Sequence, residues 1–219
     1  MNIGRRAGRL VNGLLKSYGP SKLKKALWDK EFSGEKWDFI DNTSGDCVYP
    51  FLEKYARKGS ILDLGCGPGN TANELAVDAY DTYVGIDISE AALSKAAKRT
   101  EDNDRSKKNT FACADFLAYI PAHQFDVILF RESMYHIPYG QVQAILDKYS
   151  KYLKNDGVFM VRLHATDIKT GETKKRVTAK LDLIKRGFAV VESSQDNEPG
   201  RATVLVFRPR QPRNAVPAH

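Results

Sequence analysis

This 219-residue sequence predicts a doubly wound α/β fold built on a seven-stranded, mostly parallel sheet. Three observations carry the prediction. From Ser60 onward, short apolar segments alternate with segments of helical periodicity. Most of the apolar segments are continuous, as strands covered on both faces require. The first of them runs directly into a glycine-rich turn, at the end of a strand where such sheets bind ligands.

Strands are expected at 60–65, 82–87, 109–113, 125–131, 157–163, 188–193 and 202–208, with helices at about 70–78, 89–99, 141–154 and 173–186. In the third helix Val142, Ile145, Leu146, Tyr149, Tyr152 and Leu153 form one apolar stripe, and Gly157 ends the turn beyond it. Val177, Leu181 and Ile184 mark the fourth. The last two strands, joined by the turn-rich residues 195–200, read as an antiparallel hairpin at the far edge. Ahead of the sheet, Leu10, Val11, Leu14, Leu15 and Tyr18 give a basic amphipathic helix over 5–18. Gly19-Pro20 breaks it, and Ser21 stands where it would cap a second helix carrying Leu23, Ala26, Leu27 and Trp28. A further helix from about Val48 to Tyr55 leads into the sheet. The expected division is a basic helical cap over 1–47, the α/β domain over 48–208 and a disordered tail over 209–219.

Hydrophobic residues at 42% and charged ones at 28% suit a soluble globular chain. No stretch has the eighteen or so apolar residues of a membrane span, and no apolar signal region follows the basic start. Cys47, Cys66 and Cys113 are odd in number and lack metal-ligand spacing, which argues for a reducing, cytoplasmic setting. The net charge of +7 is localised. Residues 1–30 hold eight Lys/Arg and one acid, whereas the rest holds 26 bases and 26 acids. A nucleic-acid enzyme would spread its positive charge around its cleft, so nucleic acid is disfavoured as a partner.

The central motif runs from Ile61 to Asn70 (ILDLGCGPGN). Gly65, Gly67 and Gly69 permit a tight turn and let a ligand lie against the backbone. Asp63 precedes the turn, and Asp87 ends the next strand, where its carboxylate can accept the hydroxyls of a ribose. Dinucleotide sites use G-x-G-x-x-G and hold a pyrophosphate on the helix N-terminus. Here the spacing is G-x-G-x-G, and the Asp63 carboxylate would repel a pyrophosphate while suiting an ammonium or sulfonium group.

At these residues the chain resembles the class I S-adenosylmethionine-dependent methyltransferases, over about residues 48–208. The resemblance implies S-adenosyl-L-methionine as cofactor. It also implies that Asp63, Gly65, the Cys66 backbone and Gly67 contact its methionine half, that Gly69 belongs to the cofactor-binding turn, and that Asp87 holds the ribose. Ile88 and Phe116 would flank the adenine, Asp115 would bind its amino group, and the Arg131 carbonyl would hold the ammonium. The strand order of that family, with an antiparallel closing hairpin, fits the expected sheet.

The loop after the fourth strand would flank the acceptor. His136 is the natural proton acceptor there, with Glu132 and Tyr135 placed to orient it or the substrate. His164, at the end of the fifth strand, is expected in the substrate wall, and Trp37 and Tyr49 are expected to cover it, together with Trp28, Phe32 and Phe39. The Asp/Asn-Pro-Pro-Tyr signature of base-amino methylation, a Pro-Cys nucleophile and a carboxylate cluster for magnesium are all absent from the sequence. The expected activity is methyl transfer to an O or N nucleophile of a small molecule, favouring a saccharide or glycolipid precursor. The basic helices of residues 1–27 are expected to rest peripherally on an anionic inner-membrane surface. An RNA or protein substrate, and a non-catalytic cofactor-binding partner, are the rival expectations.

Overall fold

The computed structural model describes residues 3–34, 43–164, 172–194 and 202–210. Three helices, α1 (Ile3–Tyr18), α2 (Ser21–Phe32) and α3 (Val48–Ala56), precede the sheet. Then follow β1 (Ser60–Leu64), α4 (Asn70–Glu74), β2 (Thr82–Asp87), α5 (Glu90–Asp102), β3 (Asn109–Cys113) and β4 (Phe125–Arg131). The chain closes with α6 (Val142–Ser150), β5 (Leu153–His164), α7 (Glu172–Gly187), β6 (Ala189–Ser194) and β7 (Ala202–Arg208).

The sheet order is β3-β2-β1-β4-β5-β7-β6. β1 to β5 pair in parallel, and β7 inserts antiparallel between β5 and β6. The order therefore reverses between β1 and β4, and their carboxyl ends form the crevice where open α/β sheets bind ligands. Strand alternation divides the core into two layers. Ile61, Val127, Leu129, Val158, Met160 and Val206 pack on α3 and α4, whereas Leu62, Ile128, Phe130, Phe159, Val161 and Phe207 pack on α6 and α7.

Three local expectations are corrected. The expected helix over 141–154 ends at Ser150, and Leu153 already pairs with Phe125 as the start of β5. Gly157 lies within that strand, where an added Cβ would meet the Phe125 carbonyl at 2.8 Å. Apolar Tyr152 and Leu153 fit the helical stripe by chance, since a buried strand start is equally apolar. The expected helix over 70–78 spans only Asn70–Glu74, because Leu75 leaves the helical conformation. Ser21 does not cap α2; Pro20 holds that position, and the Ser21 hydroxyl instead donates to Asp115 Oδ2 at 2.9 Å. The connection over 195–200 and the tail from residue 211 lie outside the described residues.

Candidate active site

At the β1/β4 crevice lies a cavity of about 1030 Å³, roofed by α1 and α2. Its floor is the turn that follows β1. Gly65, Gly67 and Gly69 all have positive φ, the left-handed region that disfavours other residues. A Cβ on Gly65 would strike the Ser133 Cβ at 2.5 Å, whereas one on Gly67 would project toward the cavity, with only Phe32 within 4 Å, at 3.8 Å. Gly65, Cys66 and Gly67 line the cavity. Gly69 acts elsewhere. An added Cβ there would meet Ala96 at 2.7 Å, so this glycine brings α5 against the turn.

Asp63 is fully buried beneath the turn. Its Oδ2 accepts from the Tyr83 hydroxyl at 2.7 Å, and its Oδ1 is buried without a partner. Burial pushes its pKa up to about 6, against the pull of the Tyr83 bond and the Arg131 charge. A buried acceptor left unbonded is costly, so this oxygen is suited to a cationic donor in the cavity. Asp87, also buried, accepts the Gly67 and Ser89 amides at 2.9 Å each, which ties the turn to β2. Its carboxylate still has lone pairs for ligand hydroxyls. Ile88, Asp115 and Phe116 complete this half of the cavity. The buried donor-acceptor set and the bare Gly67 backbone fit S-adenosylmethionine.

The roof reaches directly into this half. Lys24 of α2 pairs with Asp115 at 3.0 Å, beside the Ser21 hydroxyl, and Asp29 accepts from Ser89 Oγ at 2.8 Å. Lys16 pairs with Glu31, and Lys25 with Asp29 and Glu90. Part of the N-terminal positive charge is therefore turned inward, to hold the cap on the site.

In the other half, the sequence candidates take unequal positions. Glu132, at φ +56°, pairs with Arg162, and Tyr135 gives its hydroxyl to the His164 carbonyl while accepting from the His164 amide. Both line the cavity, yet their polar atoms hold β5 in place. His136 lines the cavity with its ring against Trp28, centroids 4.9 Å apart. Burial, with the Lys16 and Lys180 charges, lowers its pKa to about 4, so the imidazole is neutral at pH 7. His164 lines the cavity, and its Nδ1 is buried without a partner, as is Ser133 Oγ. Tyr49 is not in the wall; its hydroxyl donates to Glu74, and its ring lies under the Arg131 guanidinium. Trp37 and Phe39 lie outside the described residues, whereas Trp28 and Phe32 line the cavity.

Sequence reasoning missed a buried polar layer. The Arg131 side chain pairs with Asp46 at 2.7 Å and donates to Thr43 Oγ1 at 2.7 Å, and Arg162 pairs with the same Asp46 at 3.1 Å. Lys180 of α7 donates to the carbonyls of Met134, Tyr135 and Ile137 at 2.8, 3.1 and 2.7 Å. The signal was present in both cases. Arg131 ends an otherwise apolar strand, Arg162 stands near the end of another, and Lys180 falls on the Val177–Leu181–Ile184 face.

Comparison with known proteins agrees with this geometry. The profile of a family described as a methyltransferase domain matches residues 56–202. A sterol 24-C-methyltransferase of Pneumocystis carinii is 25% identical over 167 residues, covering 67% of this chain and 44% of the relative. A trans-aconitate 2-methyltransferase of Agrobacterium fabrum is 34% identical over 103 residues, covering 46% of this chain and 37% of the relative. The chain thus spans less than half the length of either. Among solved structures, the N-methyltransferase NodS from Bradyrhizobium japonicum, in complex with S-adenosyl-L-homocysteine, superposes with a TM-score of 0.66 at 18% identity. That match covers 85% of this chain and 98% of that one.

Proposed function

The chain belongs to the class I S-adenosylmethionine-dependent methyltransferases, and from that premise we propose that it methylates an oxygen or nitrogen nucleophile of a small molecule. The observation that carries the reading is the fully buried Asp63, whose Oδ1 has no hydrogen-bond partner, in the lining of a cavity that His136 and His164 also line. When bound, the cofactor supplies an electrophilic methyl on a sulfonium. Asp63 and the Arg131 carbonyl would hold its ammonium, Asp87 its ribose, and Asp115, Ile88 and Phe116 its adenine. Gly65, Cys66 and Gly67 offer bare backbone along the methionine chain.

The acceptor occupies the half between His136, Glu132 and His164. Being neutral at pH 7, His136 can accept a hydrogen bond from the nucleophile, while its low proton affinity leaves most of the acceleration to alignment and water exclusion. The aromatic roof of Trp28 and Phe32 supports a saccharide or a glycolipid precursor, since such rings stack on apolar sugar faces. In this reading residues 1–47 form the cap and residues 48–208 the catalytic domain.

Peripheral contact with an anionic membrane through residues 1–27 belongs to the same reading. Among the described residues, no helix is long and apolar enough to cross a membrane. Yet Val11, Leu14 and Tyr18 are 53%, 57% and 66% exposed on one outward stripe of basic α1. A basic helix that turns an apolar stripe to solvent is suited to an anionic interface.

Methyl-labelled S-adenosylmethionine, incubated with the protein and with separated cell fractions, tests the acceptor class by mass spectrometry. Label in the saccharide-containing small-molecule pool supports the reading. Label confined to RNA or protein replaces it.

A further inference from the structure

The acceptor half of the cavity has an unusual charge arrangement. Among its described lining residues, every carboxylate is already in an ion pair: Glu31 with Lys16, Asp46 with Arg131 and Arg162, and Glu132 with Arg162. Lys180 has no such partner among the described residues. It is only 6% exposed, and its ammonium is met by the three backbone carbonyls of residues 134, 135 and 137. Those carbonyls solvate the charge but carry none themselves. A buried cation without a counter-ion is expensive to keep, and its pKa is accordingly lowered to about 8 by burial and by Arg176, one turn earlier on the same helix.

A second feature lies in the same wall. His164 Nδ1 is buried and unbonded, although the His164 main chain is gripped on both sides by the Tyr135 hydroxyl. Tyr135 therefore links the two: its hydroxyl meets His164, and its carbonyl meets Lys180. An oxyanion entering here would meet a cation that lacks a counter-charge, taking one of its three N–H groups from a backbone carbonyl, and a ring nitrogen that lacks a partner and can donate to it as N–H.

We propose that the acceptor carries a carboxylate or phosphoryl group, which binds at the α7 wall against Lys180 and His164. This rests on the methyltransferase reading and narrows its substrate class. The consequence for the reaction is direct. Burial makes His136 weakly basic and the Lys16 and Lys180 charges add to that effect; a negative group at this wall offsets the charges, so the right acceptor improves its own proton acceptor. Cationic acceptors are repelled by the same wall.

The test uses full-length protein saturated with S-adenosylhomocysteine, with thermal unfolding followed at constant ionic strength. Citrate and inorganic phosphate are the two probes. Either should raise the midpoint by at least about 2 °C in wild type and in Lys180→Arg, and by much less in Lys180→Met. A response to citrate alone assigns a carboxylate; a response to phosphate alone assigns a phosphoryl group. No response to either in wild type, or an equal one in Lys180→Met, overturns the proposal. Lys154→Met, at the opposite end of β5 from His164, should respond as wild type does. Binding of S-adenosylhomocysteine is measured first in each protein, so loss of the cofactor reading is seen separately from loss of this one.

Should Lys180→Met fail to fold, wild type suffices. Its citrate response should fall as pH rises from 7 to about 9.5 and Lys180 loses its proton. The other groups facing this wall are Arg176 on α7, Glu132, Tyr135 and His136 on the loop, Arg162 and His164 on β5 and Lys16 on α1. Burial keeps His136 neutral across that range and pushes the Tyr135 hydroxyl above it. A citrate response that stays flat from pH 7 to 9.5 also overturns the proposal.

Discussion

Replacing Asp63 by Asn removes one charge with almost no change of shape, and its two consequences have opposite signs. In the free protein the carboxylate is destabilising, because burial raises its pKa from 3.8 to about 6. Each pKa unit is worth about 1.4 kcal/mol, so ionisation in the folded state costs about 3 kcal/mol, in order of magnitude. A raised carboxyl pKa means that this group favours folding below about pH 4 and loses that contribution as pH rises through 6. Asp63→Asn therefore holds or raises the unfolding midpoint at pH 7. Ligand binding goes the other way. An amide cannot pair with an ammonium, and with Tyr83 donating to its oxygen it turns N–H groups toward the donor. Losing one buried charge-assisted bond of about 2–4 kcal/mol weakens affinity by about 30- to 1000-fold. Calorimetry with S-adenosylhomocysteine measures this directly. Wild-type affinity should also weaken about tenfold between pH 7 and pH 5, as Asp63 takes up a proton, and the variant should show no such slope. A variant that binds within threefold of wild type would refute the assignment of the ammonium to Asp63.

The remaining predictions probe other parts of the site. Asp87→Ala should lose about 2–4 kcal/mol of cofactor affinity, and Gly67→Val should block binding by filling the cradle, both read by the same calorimetry. His136→Gln should abolish a pH-dependent loss of stability. The lowered pKa of His136 favours folding above pH 6.5, and that contribution, up to about 3 kcal/mol, is lost as pH falls toward 4; urea titrations across that window measure the difference. Asp46→Asn leaves two buried guanidinium groups without their shared carboxylate and should cost about 3–5 kcal/mol of stability, visible as a fall in urea midpoint. Val11→Ser/Leu14→Ser/Tyr18→Ser should weaken co-sedimentation with anionic liposomes while leaving S-adenosylhomocysteine binding intact. Equal sedimentation of the variant and wild type would remove the membrane contact from the account.

The elements governed by short-range pattern were legible. The strands read correctly because buried parallel strands are continuously apolar, and the turn after β1 read correctly because three glycines before a helix have few other uses. The boundary between α6 and β5 was not legible, since Tyr152 and Leu153 satisfy a helical stripe and a buried strand start equally well. The polar layer was also hidden, for a different reason. Asp115 meets Lys24 across 91 positions, and Arg131 meets Asp46 across 85, so neither pairing leaves a local trace. For the same reason the basic N-terminal segment read as charge offered to an anionic membrane surface, although Lys16, Lys24 and Lys25 are engaged in holding the roof. Tyr49 was assigned to the wall for its aromatic ring, whereas α3 turns its hydroxyl to Glu74 and Arg131. Arg162 and Lys180 could have been found. A charge on an otherwise apolar face is a buried polar site until shown otherwise.

The claim on which the rest depends is that this cavity catalyses methyl transfer. The most direct measurement is the rate at which the protein converts S-adenosylmethionine to S-adenosylhomocysteine in the presence of a small-molecule cell extract, with Asp87→Ala as its partner. The account predicts steady turnover by wild type that stops when the extract is withheld, and a rate at least about thirtyfold lower for the variant at subsaturating cofactor. Equal rates for the two proteins, or no turnover by a wild-type protein that binds S-adenosylhomocysteine, would contradict it.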